Sequence, residues 1–289
     1  MPLVGLLAGK TAVITGGTTG IGRAICLEFL RQGANVVVNH LGLDKDQPHL
    51  HSLIAEAEAL SSSPLEAARG NGVTGRSEPE PHVVGRLSHQ AGDVRDPTTA
   101  ARLVEAAVEH SGVTRRLDIC VSNAGICTFA DFMTVSPDLF EATVRTNLDG
   151  AFYVTQAAAR QMALHQDPPG GSIIGVSSIS ALVGGGEQTH YTPTKAGVLS
   201  LMQSTAVALG KYGVRCNALL PGTIRTQLNE HDLANDTKRT YVEGRIPLGR
   251  TGVPSDVAGP AVFLACNELS SYVTGAQLLV DGGLFVNLQ

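Results

Sequence analysis

Short, nearly continuous apolar runs alternate along this chain with longer stretches in which apolar residues recur every three to four positions. The runs "TAVITG" (11–16), "NVVVNH" (35–40), "LSHQAGDV" (87–94, the weakest), "LDICVSNAG" (117–125), "GSIIGVSS" (171–178), "VRCNALLPG" (214–222) and "AQLLVDGG" (276–283) read as strands. Helical period falls near 20–32, 47–60, 98–111, 136–166, 192–212 and 254–268, with Asp96-Pro97 and Val253-Pro254-Ser255-Asp256 as helix entries. Strands separated by helices predict an α/β fold: a doubly wound (Rossmann) sheet of seven parallel strands, helices on both faces, in a single domain over 1–289.

Two stretches stand outside this alternation. From the end of the second strand to Asp93 is about fifty residues, roughly twice what a short crossover needs. Within it "SSSPLEAARGNGVTGRSEPEPHVVGR" (61–86) is rich in Ser, Gly, Pro and Glu, and is expected to be a surface insertion, either a tolerated loop or a lid. The segment 223–250 is charged and mixed in composition, and is expected to form a mobile flap.

Composition narrows the partners. With 43% hydrophobic and 16% charged residues, the chain reads as a soluble globular protein. A net charge of −5 and no long basic run argue against a nucleic-acid partner. No apolar run of about 18 residues suggests a membrane span, and no basic region precedes the short apolar start, so a cytoplasmic location is expected. The five cysteines are scattered without CxxC spacing and read as reduced core thiols. His49 and His51 have no cysteine or carboxylate at ligand spacing, so no metal is expected.

The chemistry begins at "TGGTTGIGRAI" (15–25), which follows the first strand and opens a helix. Gly16, Gly20 and Gly22, with Thr18 and Ile21 among them, suit a tight turn, close approach to a pyrophosphate and a helix N-terminus aimed at it. A dinucleotide is the expected cofactor. An acid ending the second strand selects a free ribose hydroxyl, and a base selects a 2′-phosphate. Here stand Asn39, able to bond the hydroxyl, and His40, able to attract the phosphate. With no Arg or Lys at that point NAD is expected, NADP being accepted as well.

Tyr191 and Lys195 fall at i and i+4, on one face of the helix that starts there. A free tyrosine has a pKa near 10, so service as a base near neutrality needs a drop of about three pH units, or about 4 kcal/mol. An ammonium about 5 Å away supplies roughly 3 kcal/mol at an effective dielectric near 20, and the positive nicotinamide of an oxidised cofactor is expected to supply much of the rest.

With the glycine turn, "SNAG" (122–125), a serine before "YTPTK" and "PGTIRT" (221–226), the chain resembles the short-chain dehydrogenase/reductase family over nearly its whole length. The resemblance implies that Asp93 and Val94 frame an adenine, and that Asn123, Ala124 and Gly125 support the central strand and line the cofactor. It implies a catalytic tetrad of Asn147, Ser178, Tyr191 and Lys195, and a nicotinamide held by Pro221, Gly222, Ile224 and Thr226. Tyr191, as phenolate, then takes the proton of a substrate hydroxyl while hydride leaves the same carbon for the nicotinamide. Ser178 holds the reacting oxygen, Lys195 also bonds the nicotinamide ribose, and Asn147 anchors a water that relays the proton. "SNAG" departs from the commoner "NNAG".

Within the family, longer stretches such as "SSISALVGGGEQTHYTPTKAG" resemble members that oxidise the C1 hydroxyl of a sugar. A small-molecule sugar is therefore the expected substrate. Ser180, two residues beyond Ser178 on one side of an extended segment, and Gln188 are its candidate contacts besides Ser178 and Tyr191. His190, also beside Tyr191, is either a further contact or a helix-entry residue facing solvent. Another aldose, an acyl thioester reduced at its 3-oxo group, and a non-catalytic nucleotide sensor remain as alternatives. The apolar tail "LLVDGGLFVNLQ" resembles family tails that cross a subunit interface, which implies a homotetramer or homodimer.

Overall fold

The computed structural model describes residues 5–62 and 84–287. In chain order they form β1 (Thr11–Ile14), α1 (Gly20–Arg31), β2 (Asn35–His40), α2 (Gln47–Ser62), β3 (Leu87–Ala91), α3 (Pro97–His110), β4 (Ile119–Ser122), α4 (Pro137–Val144) and α5 (Gly150–Leu164). β5 (Gly171–Val176), α6 (Thr192–Leu209), β6 (Val214–Pro221), α7 (Glu230–Leu233), α8 (Asp236–Arg245), α9 (Pro254–Ala265), α10 (Asn267–Ser270) and β7 (Gln277–Val280) follow. The expected insertion at 61–86 falls mostly on 63–83, outside the described residues.

The seven strands form one parallel sheet in the order β3-β2-β1-β4-β5-β6-β7. Alternate residues of each strand enter opposite layers, as strand geometry requires. Ala12, Ile14, Val36, Val38, Ile119 and Val121 pack with α1, α2 and α9 on one face. Val13, Val37 and Cys120 pack with α3, α5 and α6 on the other. With both faces covered, the central strands are buried at nearly every position and mostly apolar, which is why they read as nearly unbroken runs. β3 is one of the two edge strands, and its exposed or half-buried positions account for its weak signal.

Helix entries are chemically marked. Asp96 accepts from the Thr98 amide at 2.8 Å with Pro97 at the first turn of α3, and Ser136 accepts from the Leu139 amide at 3.2 Å ahead of α4. The helix expected over 136–166 is present from Pro137 to Leu164, with a π-helical turn, Arg145–Asp149, joining α4 to α5. Such turns recur at functional sites, and this one holds Asn147. The expected flap at 223–250 forms α7 and α8, and its two ends are tied where Arg225 N donates to Gly252 O (2.8 Å) and Gly252 N to Thr223 O (2.9 Å).

Strand order reverses between β1 and β4, so the following loops part and leave a crevice at the strands' carboxyl ends. A side chain would be crowded at one point behind its rim. A Cβ on Gly22 would lie 2.3 Å from Gly16 O and 2.6 Å from Asn123 Nδ2, both parts of the turn that α1 rests on. Gly22→Ala is therefore expected to destabilise the chain by about 2 kcal/mol through overpacking. A lower urea midpoint at unchanged slope would register this, whereas an unchanged midpoint would show that the turn yields without cost.

Candidate functional site

The crevice is walled first by the turn after β1. Thr15 Oγ1 accepts the amides of Asn123 and Ala124, each at 2.9 Å, and Asn123 Nδ2 donates to Thr15 O (2.9 Å) and Gly16 O (3.2 Å). These four bonds join the ends of β1 and β4 and explain why Asn123 stands there. Gly16 and Gly20 have φ of +61° and +53°, in the left-handed region that glycine enters at little cost. Thr19 ends the turn as N-cap of α1 without a side-chain cap bond, so the helix presents uncapped amides to the cavity. A helix N-terminus so arranged fits an anionic pyrophosphate.

That cavity holds about 650 Å³ and runs from Gly16, Gly20 and Ile21 past Asn123, Ala124 and Gly125 to Ser178, Tyr191 and Lys195. Pro221, Gly222, Ile224 and Thr226 line it beyond β6, and Ser180 and Gln188 border it before α6. Motifs far apart in the chain thus meet around one space. Other expected residues stand behind its wall. Thr18 is buried, its carbonyl accepting from Arg23 Nη1, and Gly22 supports the turn. Asn39 is buried and donates to Gly92 O at 2.9 Å, tying β2 to the segment after β3. His40 is turned onto His89, Nε2 to Nδ1 3.3 Å, and burial followed by that neighbour lowers its pKa. Neutral and turned inward, it offers no charge to a phosphate. Asp93 accepts from Arg95 at 2.6 Å, and Arg95 holds its pKa low. Val94 is buried against Gly150.

Tyr191 is the N-cap of α6 and Lys195 lies one turn on, its Nζ 5.6 Å from the phenol ring centre. Lys195 is 5% exposed and donates to Val176 O at 3.0 Å. Burial lowers its pKa from 10.5 to about 8. Burial also raises the Tyr191 pKa well above its ordinary 10, Cys127 adds to this, and the Ser178 hydroxyl opposes it by hydrogen bonding. The protein's own groups therefore favour a neutral phenol, and the lowering expected from lysine and nicotinamide together rests on the charge the cofactor brings. Ser178 is held in turn, its Oγ accepting from Ser180 N at 3.0 Å.

Asn147 is 1% exposed. Its Oδ1 accepts from Ile126 N (2.8 Å), and its Nδ2 donates to Ile126 O (2.9 Å) and Thr194 Oγ1 (3.2 Å). It thereby couples the strand-end loop to the first turn of α6. Both its donors are committed to protein, so only the second lone pair of Oδ1 is open to the expected water. His190 is buried, with neither ring nitrogen hydrogen-bonded, so the helix-entry residue expected to face solvent or a sugar does neither.

Several lining residues were not expected from the sequence. Cys127 is half-buried in the wall and accepts from Gln188 Nε2 at 3.3 Å, unlike Cys26, Cys120, Cys216 and Cys266, which are buried in the core. Asp232, Lys238 and Tyr241 come from α7 and α8. They belong to no motif, and their only signal was the polar composition of 223–250. Among the described residues no group of three or more His, Cys, Asp or Glu side chains could hold a metal, and no helix is long and apolar enough to cross a membrane.

Two family models match the chain, one described as short chain dehydrogenase over residues 10–71 and one as enoyl-(acyl carrier protein) reductase over 80–285. An L-rhamnose-1-dehydrogenase of Scheffersomyces stipitis is 55% identical, covering 99% of this chain and 100% of the relative. An L-rhamnose 1-dehydrogenase (NAD(P)(+)) of Sphingomonas is 50% identical, covering 98% and 99%. A solved short-chain type dehydrogenase/reductase of Mycobacterium ulcerans superposes with a TM-score of 0.82 at 30% identity, over 97% of this chain and 91% of that one. A glycine turn at the β1–β4 reversal, one cavity shared by Ser178, Tyr191 and Lys195, and likeness along nearly the whole length lead to one conclusion: the chain belongs to the short-chain dehydrogenase/reductase family.

Proposed function

We propose that this enzyme oxidises the C1 hydroxyl of L-rhamnose to L-rhamnonolactone with NAD or NADP as acceptor, within one domain spanning 1–289. The observation that carries the reading is the convergence of the Tyr191 phenol, the Ser178 hydroxyl and the Lys195 ammonium on the cavity that the glycine turn opens into. The identities of 55% and 50% to enzymes named for L-rhamnose support the substrate. So do the hydroxyl, amide and carboxylate groups that Ser180, Gln188 and Asp232 place among the apolar side chains of the wall, as partners for a polyhydroxyl molecule.

The uncapped α1 N-terminus and the side-chain-free turn at Gly16 and Gly20 fit a dinucleotide pyrophosphate, with Pro221, Gly222, Ile224 and Thr226 toward the nicotinamide. When bound, the oxidised nicotinamide supplies the hydride acceptor and a positive charge beside the phenol. Ser178 holds the sugar O1 by hydrogen bonding. Tyr191 takes the O1 proton as the C1–H bond breaks, which leaves the lactone carbonyl. Lys195 keeps its charge next to the phenol and bonds the ribose, while Asn147 fixes the first turn of α6 that carries both.

An initial-rate assay at 340 nm with L-rhamnose and NAD⁺ or NADP⁺ tests this. Wild type is expected to turn over and Tyr191→Phe to lose at least about 10³-fold in kcat/KM, more than a general base alone contributes at its low end. Because burial raises the phenol pKa, the base form is scarce at low pH, so kcat/KM should rise with pH from 6 toward 9. No turnover with either cofactor would end the L-rhamnose assignment.

Lys195 makes a separate prediction. Its pKa lies near 8 in the folded chain and at 10.5 when exposed. The unfolded chain therefore binds more protons between those values, and wild-type stability should rise as pH increases through that window. Lys195→Met removes the buried charge, worth about 3 kcal/mol by that difference. The variant should lose activity, melt no lower than wild type at pH 7, and show no such rise with pH. A large fall in Tm would show that the Val176 bond outweighs the buried charge.

We also propose a cytoplasmic homodimer or homotetramer. Val286 in the tail is 70% exposed and Phe152 on α5 is 45% exposed, which a subunit contact would cover. Light scattering should give two or four times the 30.1 kDa chain mass; a monomer would exclude the assembly.

A further inference from the structure

The chemistry described so far uses the floor of the cavity, but α7 and α8 bring a charged pair into its wall. Asp232 and Lys238 both line it, and Lys238 Nζ donates to Asp232 Oδ1 at 2.8 Å. The pair spans the junction between the two helices, so Lys238 on α8 holds one oxygen of the carboxylate that α7 carries. Lys238 is in turn capped where Asn235 Oδ1 accepts from the Thr237 and Lys238 amides (3.0 and 3.1 Å), which fixes the start of α8. Asp232 also lies near enough to Cys127 to act electrostatically on that thiol, as do Tyr191 and Lys195 from the floor. The carboxylate and the reacting phenol therefore border one space, with Cys127 near both. A carboxylate that one cation engages through one oxygen keeps acceptor capacity for more donors. Adjacent hydroxyls on a pyranose ring are such donors, whereas an acyl chain offers none.

We propose that Asp232 is a specificity-determining residue, its carboxylate accepting hydrogen bonds from ring hydroxyls of the sugar on the side away from C1, with Lys238 as its positioning residue. The proposal rests on the L-rhamnose reading. It makes the α7–α8 flap a device for measuring the sugar's hydroxyl pattern while the floor performs the oxidation. A hydrogen bond to a charged group has the strength to change affinity by about 10- to 100-fold. Its loss should fall on KM and leave kcat nearly unchanged if the contact is equal in ground and transition states.

The test compares wild type, Asp232→Asn and Lys238→Met with L-rhamnose and with its 2-deoxy and 3-deoxy analogues, beside NADH binding followed by fluorescence. Asp232→Asn should raise KM for L-rhamnose about 30-fold, with kcat within about 3-fold of wild type and NADH affinity unchanged. An analogue lacking a hydroxyl that Asp232 reads should lose much of its affinity for wild type but little more for Asp232→Asn. Lys238→Met, which keeps the carboxylate and removes its anchor, should raise KM by a smaller factor, about 5-fold. If wild type oxidises L-rhamnose and Asp232→Asn has an unchanged KM, the role of Asp232 is overturned and the substrate reading stands. If the variant loses equally on every analogue, or loses NADH affinity as well, the carboxylate is structural and the proposal also fails. If wild type leaves L-rhamnose untouched, the substrate reading fails and Asp232 falls with it as a reader of that sugar.

Discussion

The reversal of strand order between β1 and β4 is the constraint on which the site depends. Strands on either side send their connections to opposite faces, so the two loops must separate just where the chain leaves the sheet. Left alone, such loops would be free to drift. The four bonds between Thr15, Gly16, Asn123 and Ala124 join them at their roots. Because those bonds use backbone groups on both sides, the crevice has a fixed width at its base. The glycines then keep the wall free of side chains, and α1 begins with its amides toward the gap.

A second tension lies in the floor. Lys195 and Tyr191 are both buried, and burial opposes charge on each, lowering the lysine pKa and raising that of the tyrosine. The protein alone therefore favours a neutral phenol. This is a resting state suited to an enzyme whose base is needed only when an additional positive charge arrives with the cofactor. The strain of carrying the ammonium is met by stiffness around it. Ser177 Oγ bonds the Lys195 carbonyl at 2.7 Å, Val176 takes its ammonium, and Asn147 holds the same helical turn through Thr194.

What the sequence disclosed follows from the same physics. Central strands such as "TAVI" and "ICVS" are buried on both faces, so their apolar runs were legible, while the edge strand β3 was faint. The glycine turn and the Tyr–Lys spacing are local and could be read directly. The π turn at Arg145–Asp149 could not be, since no breaker residue marks it and it holds Asn147, whose partners Ile126 and Thr194 are distant in sequence. The i,i+4 spacing of Tyr191 and Lys195 discloses the attraction between them but not the desolvation that burial imposes on each. His40 and His190 likewise looked available from position and proved to be buried.

Floor and lid differ in how they are built, and that difference bears on function. The floor residues sit at the ends of β4 and β5 and on the first turn of α6, elements held by the core on both sides. The lid is a pair of short helices over 230–245 whose flanking segments bridge each other at Ile224 and Gly252; Leu233 and Ile246 are buried beneath it, and ion pairs hold its outer side. Such pairs are weak individually, so a sequence can exchange them at little cost to folding. Substitutions in the floor disturb packed groups whose geometry the reaction needs, whereas those in the lid alter which hydroxyls or chains the cavity will accept. A family with one chemistry and many substrates is the expected outcome of that division, and the polar lid over this floor is the part of the chain that favours a sugar.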